Sequence, residues 1–304
     1  MDPLSDILFL LKPRSHVSAG FDAGNPWSVH YANLQEMIKC YAIVSGACWL
    51  AVEGEKESVA LQAGDCFVLP TGRPFRLASD LSLPPVDSGA IFPPQREGGV
   101  VRLNAGGDCY MVGSGFVVEG AHSRILLDLL PPIMHIRKEA DQATLRWCVE
   151  RMMQEAGERQ PGSYLLGQHL AHIMLIQALR QYLAEHPAGG TGWLFGIVDK
   201  HLGAALGAIH ADPAQPWTLQ TLAARASMSR STFALRFRET VGMAPIEYLT
   251  RWRMLLAGDR LTHSSDSISS IAAMLGYESE SAFSTAFKRV MGCTPRRYGR
   301  FGVV

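Results

Sequence analysis

Leu222-Ala223-Ala224-Arg225-Ala226-Ser227-Met228-Ser229-Arg230-Ser231-Thr232-Phe233 returns in kind as Ile271-Ala272-Ala273-Met274-Leu275-Gly276-Tyr277-Glu278-Ser279-Glu280-Ser281-Ala282-Phe283. The opening residues of the two runs lie 49 apart, and from Phe233 and Phe283 onward the offset is 50, through Phe237/Phe287, Gly242/Gly292 and Pro245/Pro295. Self-similarity of this kind marks a duplicated supersecondary unit, and a one-residue slip is tolerated best in a turn. Each copy holds the parts of a helix-turn-helix. Ala223-Ala224 and Ala272-Ala273 let a second helix approach closely. A tight turn follows, and Ser229 or Ser279 is a suitable N-cap for the next helix. In that helix the two phenylalanines at i and i+4 anchor one face in the core and leave the opposite face polar. Gly242 and Gly292 end it, each with a proline three residues on.

Between the copies, Ile246, Leu249, Trp252, Leu255 and Leu256 form an apolar stripe that predicts one helix from about Pro245 to Leu261. Charge supports a polyanion partner for this part alone. The 304-residue chain is neutral, with 28 Lys/Arg and 28 Asp/Glu, but from Trp193 onward 13 Lys/Arg face 8 Asp/Glu, leaving 15 against 20 elsewhere.

Upstream, residues 27 to 119 read as short β-prone segments such as Ile38 to Val44 and Cys66 to Leu69, punctuated by Gly, Pro and Asp, the pattern of a sandwich or barrel. The Pro- and Gly-rich stretch Leu83 to Gly99 predicts an exposed loop. After His122 the period becomes helical: Leu126 to Leu130 end at Pro131-Pro132, and helices are expected over Asp141 to Ala156 and Ser163 to Glu185. In the second, Leu165, Leu166, Leu170, Ile173, Met174, Gln177, Ala178 and Leu183 form a stripe suited either to a dimer interface, the favoured reading, or to packing on the barrel. His186 to Gly192 is the best linker. Asp2-Pro3 predicts the cap and first turn of a short N-terminal helix. The apolar run Ile7 to Leu11 is too short to span a membrane and lacks a signal peptide's cationic start, so the cytoplasm is the expected compartment.

The region from about Ile197 to Arg300 resembles the AraC/XylS family of bacterial regulators, in the two runs quoted above and in Pro245-Ile246-Glu247-Tyr248-Leu249 and Phe287-Lys288-Arg289. That resemblance implies a seven-helix DNA-binding domain that binds double-stranded promoter DNA, works with RNA polymerase and usually activates transcription. The N-terminal part resembles the cupin-type sensor domains of a subgroup of these regulators, on Asp2 to Leu8, Gly64-Asp65, Pro70-Thr71-Gly72 and Leu129-Leu130-Pro131-Pro132. It implies a small β-barrel for an unidentified small-molecule effector, followed by helices for homodimerisation. The expected organisation is multidomain: an all-β cupin-like barrel over 1–136, a helical dimerisation segment and linker over 137–190, and an all-α domain with two helix-turn-helix units over 191–304.

The resemblance matches Ser231, Ala234 and Leu235 in the first unit, and Glu280, Ser281, Ser284 and Thr285 in the second, to base-facing positions. Ala and Leu donate no hydrogen bonds, so the first helix suits thymine methyls and DNA shape, while Glu280 suits a cytosine amino group or the positive end of its own helix. Arg230, Arg238, Arg251, Lys288, Arg289, Arg296 and Arg297 are candidate phosphate partners.

Two other readings compete. One is a cupin enzyme fused to a DNA-binding tail. Against it, the strand Ala47 to Glu53 holds no histidine and Phe75 stands where the second cupin motif would place one, so no metal, cofactor or catalytic residue is expected. The other is a sensor of oxidants through Cys40, Cys48, Cys66 and Cys109. The six cysteines form no CxxC pair, and small buried apolar residues are their ordinary role in a cytosolic chain.

Overall fold

The structure, a computed structural model, describes residues 2–11, 14–32, 37–92, 99–118, 127, 130–137, 143–158, 160–186 and 190–301. The chain folds into two compact units, one of Arg14–Val118 with Pro131–Pro187, the other of Met1–Pro13, Glu119–Leu130 and Ala188–Val304.

The first unit is built on strands β1 (Arg14–Ala23), β2 (Ser28–Tyr31), β3 (Met37–Ser45), β4 (Ala47–Val52), β5 (Val59–Gln62), β6 (Cys66–Leu69), β7 (Phe75–Ala78), β8 (Val86–Asp87), β9 (Val100–Leu103), β10 (Cys109–Val117) and β11 (Met134–Ile136). They form a six-stranded sheet ordered β11-β6-β3-β10-β1-β9 and a five-stranded sheet ordered β5-β4-β7-β2-β8. The period of two is plain in β4, where Cys48, Leu50 and Val52 are buried while Ala47 and Trp49 face solvent. Gly46 turns β3 into β4 at φ 78°, with a would-be Cβ 1.9 Å from the Asp108 carbonyl oxygen, so any side chain there would break the hairpin. The core includes Phe21, Trp27, Tyr31, Phe67, Phe75 and Met111. Within it Phe75 stacks on Tyr31 at 4.4 Å, and Phe21 meets Trp27 edge-on at 5.4 Å.

The stretch expected as an exposed loop is more ordered than its prolines suggest. It contains β8, paired with β2, and a four-residue helix α2 (Ser88–Ile91) whose N-cap is Asp87, accepting a hydrogen bond from the Gly89 amide at 2.8 Å. Residues 93–98 lie outside the described ones, as do most of the residues of the expected helix before Pro131.

Two helices complete this unit, α3 (Ala143–Glu158) and α4 (Ser163–Glu185), the latter with the expected bounds. The α4 stripe divides: Leu170, Met174, Ala178 and Leu183 are buried, in a helix that packs on β1, β6 and β11, whereas Leu165, Leu166 and Ile173 face solvent beside Tyr164. Trp147 of α3 is also exposed.

The second unit is helical: α5 (Trp193–Val198), α6 (Leu202–Ala211), α7 (Leu219–Arg225), α8 (Arg230–Val241), α9 (Pro245–His263), α10 (Ile268–Met274), α11 (Glu280–Met291) and α12 (Pro295–Phe301). Seven of these eight, α6–α12, lie in the region from about Ile197 to Arg300 for which seven helices are expected, and α5 is an additional helix at its start. To these is added α1 (Pro3–Leu11), started by Asp2, whose carboxylate accepts from the Ser5 amide at 3.0 Å. Leu4, Ile7 and Leu10 are buried, and α1 packs on α5, α6 and α9. The expected grouping of residues 1–136 therefore differs from the observed one at Met1–Pro13 and Glu119–Leu130. The reason is physical: a nine-residue amphipathic helix cannot stabilise itself and goes where its apolar face is covered.

Candidate nucleic-acid interface

The two copies of the repeat fold alike down to single hydrogen bonds. In the first turn the amides of Ser227 and Met228 donate to the carbonyls of Ala224 and Ala223; in the second, Gly276 and Tyr277 donate to Ala273 and Ala272. Ser227 at φ 53° and Gly276 at φ 75° occupy the same left-handed position, natural for glycine and strained for serine. The 49-residue offset thus runs through Tyr277, and Glu278 is the inserted residue that makes it 50.

Beyond the turn, Ser229 Oγ accepts from the Thr232 amide at 3.3 Å and Ser279 Oγ from the Ala282 amide at 3.2 Å, so both serines cap as expected. Gly242 and Gly292 end α8 and α11 at φ 88° and 77°. Phe233 and Phe237 are fully buried with ring centroids 5.5 Å apart, and Phe283 and Phe287 match them at 5.6 Å. These anchors determine which residues each helix turns outward.

On α8, Arg230, Ser231, Leu235 and Arg238 are exposed and Ala234 is half-buried. Leu235 is 61% exposed, an unusual place for a leucine and a site where a desolvating partner would gain apolar contact. On α11, Glu280, Ser281, Thr285, Lys288 and Arg289 are exposed, and Ser284 is half-buried. Thr285, itself exposed, donates its hydroxyl proton to the Ser281 carbonyl at 2.9 Å. Lys288 and Arg289 occupy the last turn, where cations also favour the helix dipole. Arg251 is half-buried on α9 and held by Glu247 at 2.8 Å, so its charge is partly neutralised before any phosphate arrives. Arg296 and Arg297 are exposed on α12.

Sequence reasoning singled out neither Arg236 nor Arg253. Arg236 is exposed on α8 yet tied to Asp199, whose carboxylate also accepts the His201 and Leu202 amides, each at 2.9 Å. Those bonds hold the Asp199 pKa below the usual carboxylate range against the opposing pull of desolvation, the largest single influence on it. Arg253 turns inward and grips backbone carbonyls. No local signal in the sequence separates these arginines from the outward ones.

In the barrel, the positions where cupin metal ligands would be sought carry Cys48, Leu50, Val52 and Phe75, all buried, and none offers an imidazole. Cys40, Cys48, Cys66 and Cys109 are buried free thiols, with Cys66 acting on Cys40, and Cys48 and Cys109 acting on each other. The neighbouring thiol and burial push the Cys40 and Cys48 thiols up, while Cys48 lowers that of Cys109. Among the described residues no helix is long and apolar enough to cross a membrane.

The chain matches the family described as Cupin over residues 2–184 and that described as Helix-turn-helix domain over residues 222–300. It is 44% identical over 299 residues to an AraC-like transcription regulator of Streptomyces lividans, covering 98% of each chain. The HTH-type transcriptional regulator AlkR of Acinetobacter baylyi is 29% identical over 283 residues, 90% of each chain. Among solved structures, the DNA-binding domain of AdpA in complex with a target DNA is 36% identical, with a TM-score of 0.31, over 33% of this chain and 90% of that one.

Proposed function

Because this chain belongs to the AraC-like transcription regulators with an N-terminal cupin domain, we propose that it activates transcription from the DNA it binds, in response to a small molecule taken up by the barrel unit. The observation that carries the reading is the pair of capped, phenylalanine-anchored helices, α8 and α11, that turn matched polar faces outward from the basic part of the chain. Ser231, Ala234 and Leu235 on α8 and Glu280, Ser281, Ser284 and Thr285 on α11 are assigned to bases. Arg230, Arg238, Arg251, Lys288 and Arg289 are assigned to phosphates, and RNA polymerase to the assembled promoter complex. The 19 residues of α9 span about 28 Å, a length suited to placing two helices in successive major grooves on one face of a duplex.

A homodimer formed through α3 and α4 is part of this reading, supported by Trp147, Tyr164, Leu165 and Ile173, all more than one-third exposed in a region otherwise packed on the barrel. Two protomers would then contact four grooves.

The test is selection of duplexes from a random pool by the full chain, followed by footprinting and titration at several salt concentrations. Enriched sites with two patches per protomer about one helical turn apart, and affinity falling steeply with salt, are expected. Failure to enrich any sequence, or affinity indifferent to ionic strength, would overturn the reading.

A further inference from the structure

Arg253 sits on α9, the helix between the two helix-turn-helix units, and its guanidinium faces the backbone of the loop that leads into the first unit. Nε donates to the Pro213 carbonyl at 2.6 Å, and Nη2 donates to the Gln215 carbonyl at 2.9 Å and the Ala214 carbonyl at 3.4 Å. The same group lies over the Tyr277 ring, 5.5 Å from its centroid. Tyr277 is in the turn of the second unit and meets Phe283, an anchor of α11, edge-on at 5.5 Å. The two segments also touch directly: a Cβ on Gly276 would lie 2.0 Å from the Ala214 carbonyl oxygen.

These contacts form one continuous path. The loop that presents its carbonyls to Arg253 also orients the start of α7, because the Trp217 indole donates to the Asp212 carbonyl at 2.8 Å and Thr218 caps that helix. Helix α9 joins its neighbours through short links, Gly242–Ala244 before it and Ser264–Ser267 after it. A helix hinged at both ends does not by itself fix the rotation of one unit against the other. A planar guanidinium that satisfies three carbonyls of one unit while lying over a ring of the other does. Neither helix-turn-helix sequence contains this residue, and it makes no use of the outward faces.

We propose that Arg253 is a positioning residue that sets the spacing and phase between the DNA patches read by α8 and α11, with Gly276 as the close-contact partner that lets the two units meet. This rests on the reading that both helices contact DNA. One base pair of added spacer moves a patch by about 3.4 Å and turns it by about 34° about the duplex axis, a displacement that a rigid pair of units cannot follow and a loosened pair can.

The experiment uses the full chain and a duplex selected by it, with the two patches kept and the spacer between them changed by −2 to +2 base pairs, beside a duplex holding one patch alone. The wild type should prefer one spacing over its neighbours by about tenfold or more. Arg253→Met should flatten that preference to within about threefold, mainly by losing affinity at the best spacing, with single-patch binding unchanged within about twofold. Arg253→Lys keeps the charge without the planar fork and should fall between them. Arg253→Lys also serves if Arg253→Met does not fold, whereas Gly276→Ala would place a Cβ 2.0 Å from the Ala214 carbonyl oxygen and break the turn itself. Variants that bind with the wild-type spacing preference, or lose affinity equally on every duplex including the single-patch one, would overturn the assignment. A wild type that shows one patch per protomer would instead remove the reading on which it rests.

Discussion

Two substitutions two residues apart on α8 should have opposite signatures. Phe237 is fully buried, with its ring 5.5 Å from Phe233 and 6.0 Å from Tyr248, so Phe237→Ala removes a large apolar group from a site closed on all sides. Such truncations cost about 3–5 kcal/mol, a large fraction of the roughly 5–15 kcal/mol typical of a folded domain. For a unit near one hundred residues that lowers the melting temperature by more than about 10 °C. Leu235 is 61% exposed, and alanine is the better helix former, so Leu235→Ala should change stability by less than about 0.5 kcal/mol. Its effect should fall on DNA: loss of an apolar contact with a base edge costs about 1 kcal/mol, a factor of about five in affinity, and relaxes preference at one position. Calorimetry of the full chain resolves the first effect as a shift in the transition of the helical unit. Titration against single-base variants of a selected site resolves the second. A Phe237→Ala protein that melts like the wild type but no longer binds DNA would mean that the aromatic face, not the polar one, meets the groove.

On α11, Ser284→Ala or Thr285→Ala should cost at most about 1–3 kcal/mol on the selected site and alter base preference locally, whereas Lys288→Ala or Arg289→Ala should weaken binding to all sequences and flatten the salt slope by about one unit. An Arg289 variant with changed base preference and an unchanged slope would reverse these roles. Elemental analysis of protein purified without chelator should find no stoichiometric iron, manganese, zinc or nickel, because Cys48, Leu50, Val52 and Phe75 occupy the barrel positions in question; one metal per chain, lost on mutating barrel residues, would revive an enzymatic reading. His210 is buried against Trp252, with Nε2 2.8 Å from the Tyr248 hydroxyl and Nδ1 3.4 Å from the Asp6 carboxylate; burial lowers its pKa to about 3. A histidine depressed in the folded state contributes stability that is full above its ordinary pKa of 6.5 and is lost as pH falls toward the folded value, so melting temperature should drop between pH 7 and 5, above the carboxylate range, and drop less in His210→Gln; parallel curves would refute the assignment.

The helix-turn-helix pair was legible because its determinants are local. A serine cap, a left-handed glycine and two phenylalanines four apart act within one or two turns of the chain, and a duplicated pattern tests itself. Even there, only the structure places the inserted residue at Glu278, since Ser227 adopts a backbone conformation that its side chain does not advertise. Helix α4 followed its periodicity, but periodicity could not divide the stripe, because Leu165 and Leu170 are the same residue type with different neighbours. The stretch from Leu83 to Gly99 misled because prolines mark where a chain turns without excluding a short strand or a capped helical turn between them. The arginines were least legible of all. Arg230 faces outward, Arg236 is tied to Asp199, and Arg253 binds carbonyls about forty residues away, a contact that exists only once both units are folded.

Helix α1 shows the same dependence of local pattern on tertiary context. By family it belongs with the barrel, since the cupin match begins at residue 2; by packing it belongs with the helices that follow Ala188. Leu4, Ile7 and Leu10 fall on one face of the helix, and each buried aliphatic side chain stabilises the unit by about 1.5–3 kcal/mol before ordering entropy is subtracted. For the three together that is about 4.5–9 kcal/mol, comparable with the whole stability of a domain this size. A fragment beginning at Trp193 would leave part of the surface of α5, α6 and α9 uncovered, so affinities measured on it would mix the DNA contacts of α8 and α11 with the cost of losing α1. The core of the DNA-binding unit, not the order of its segments along the chain, defines what must be kept together.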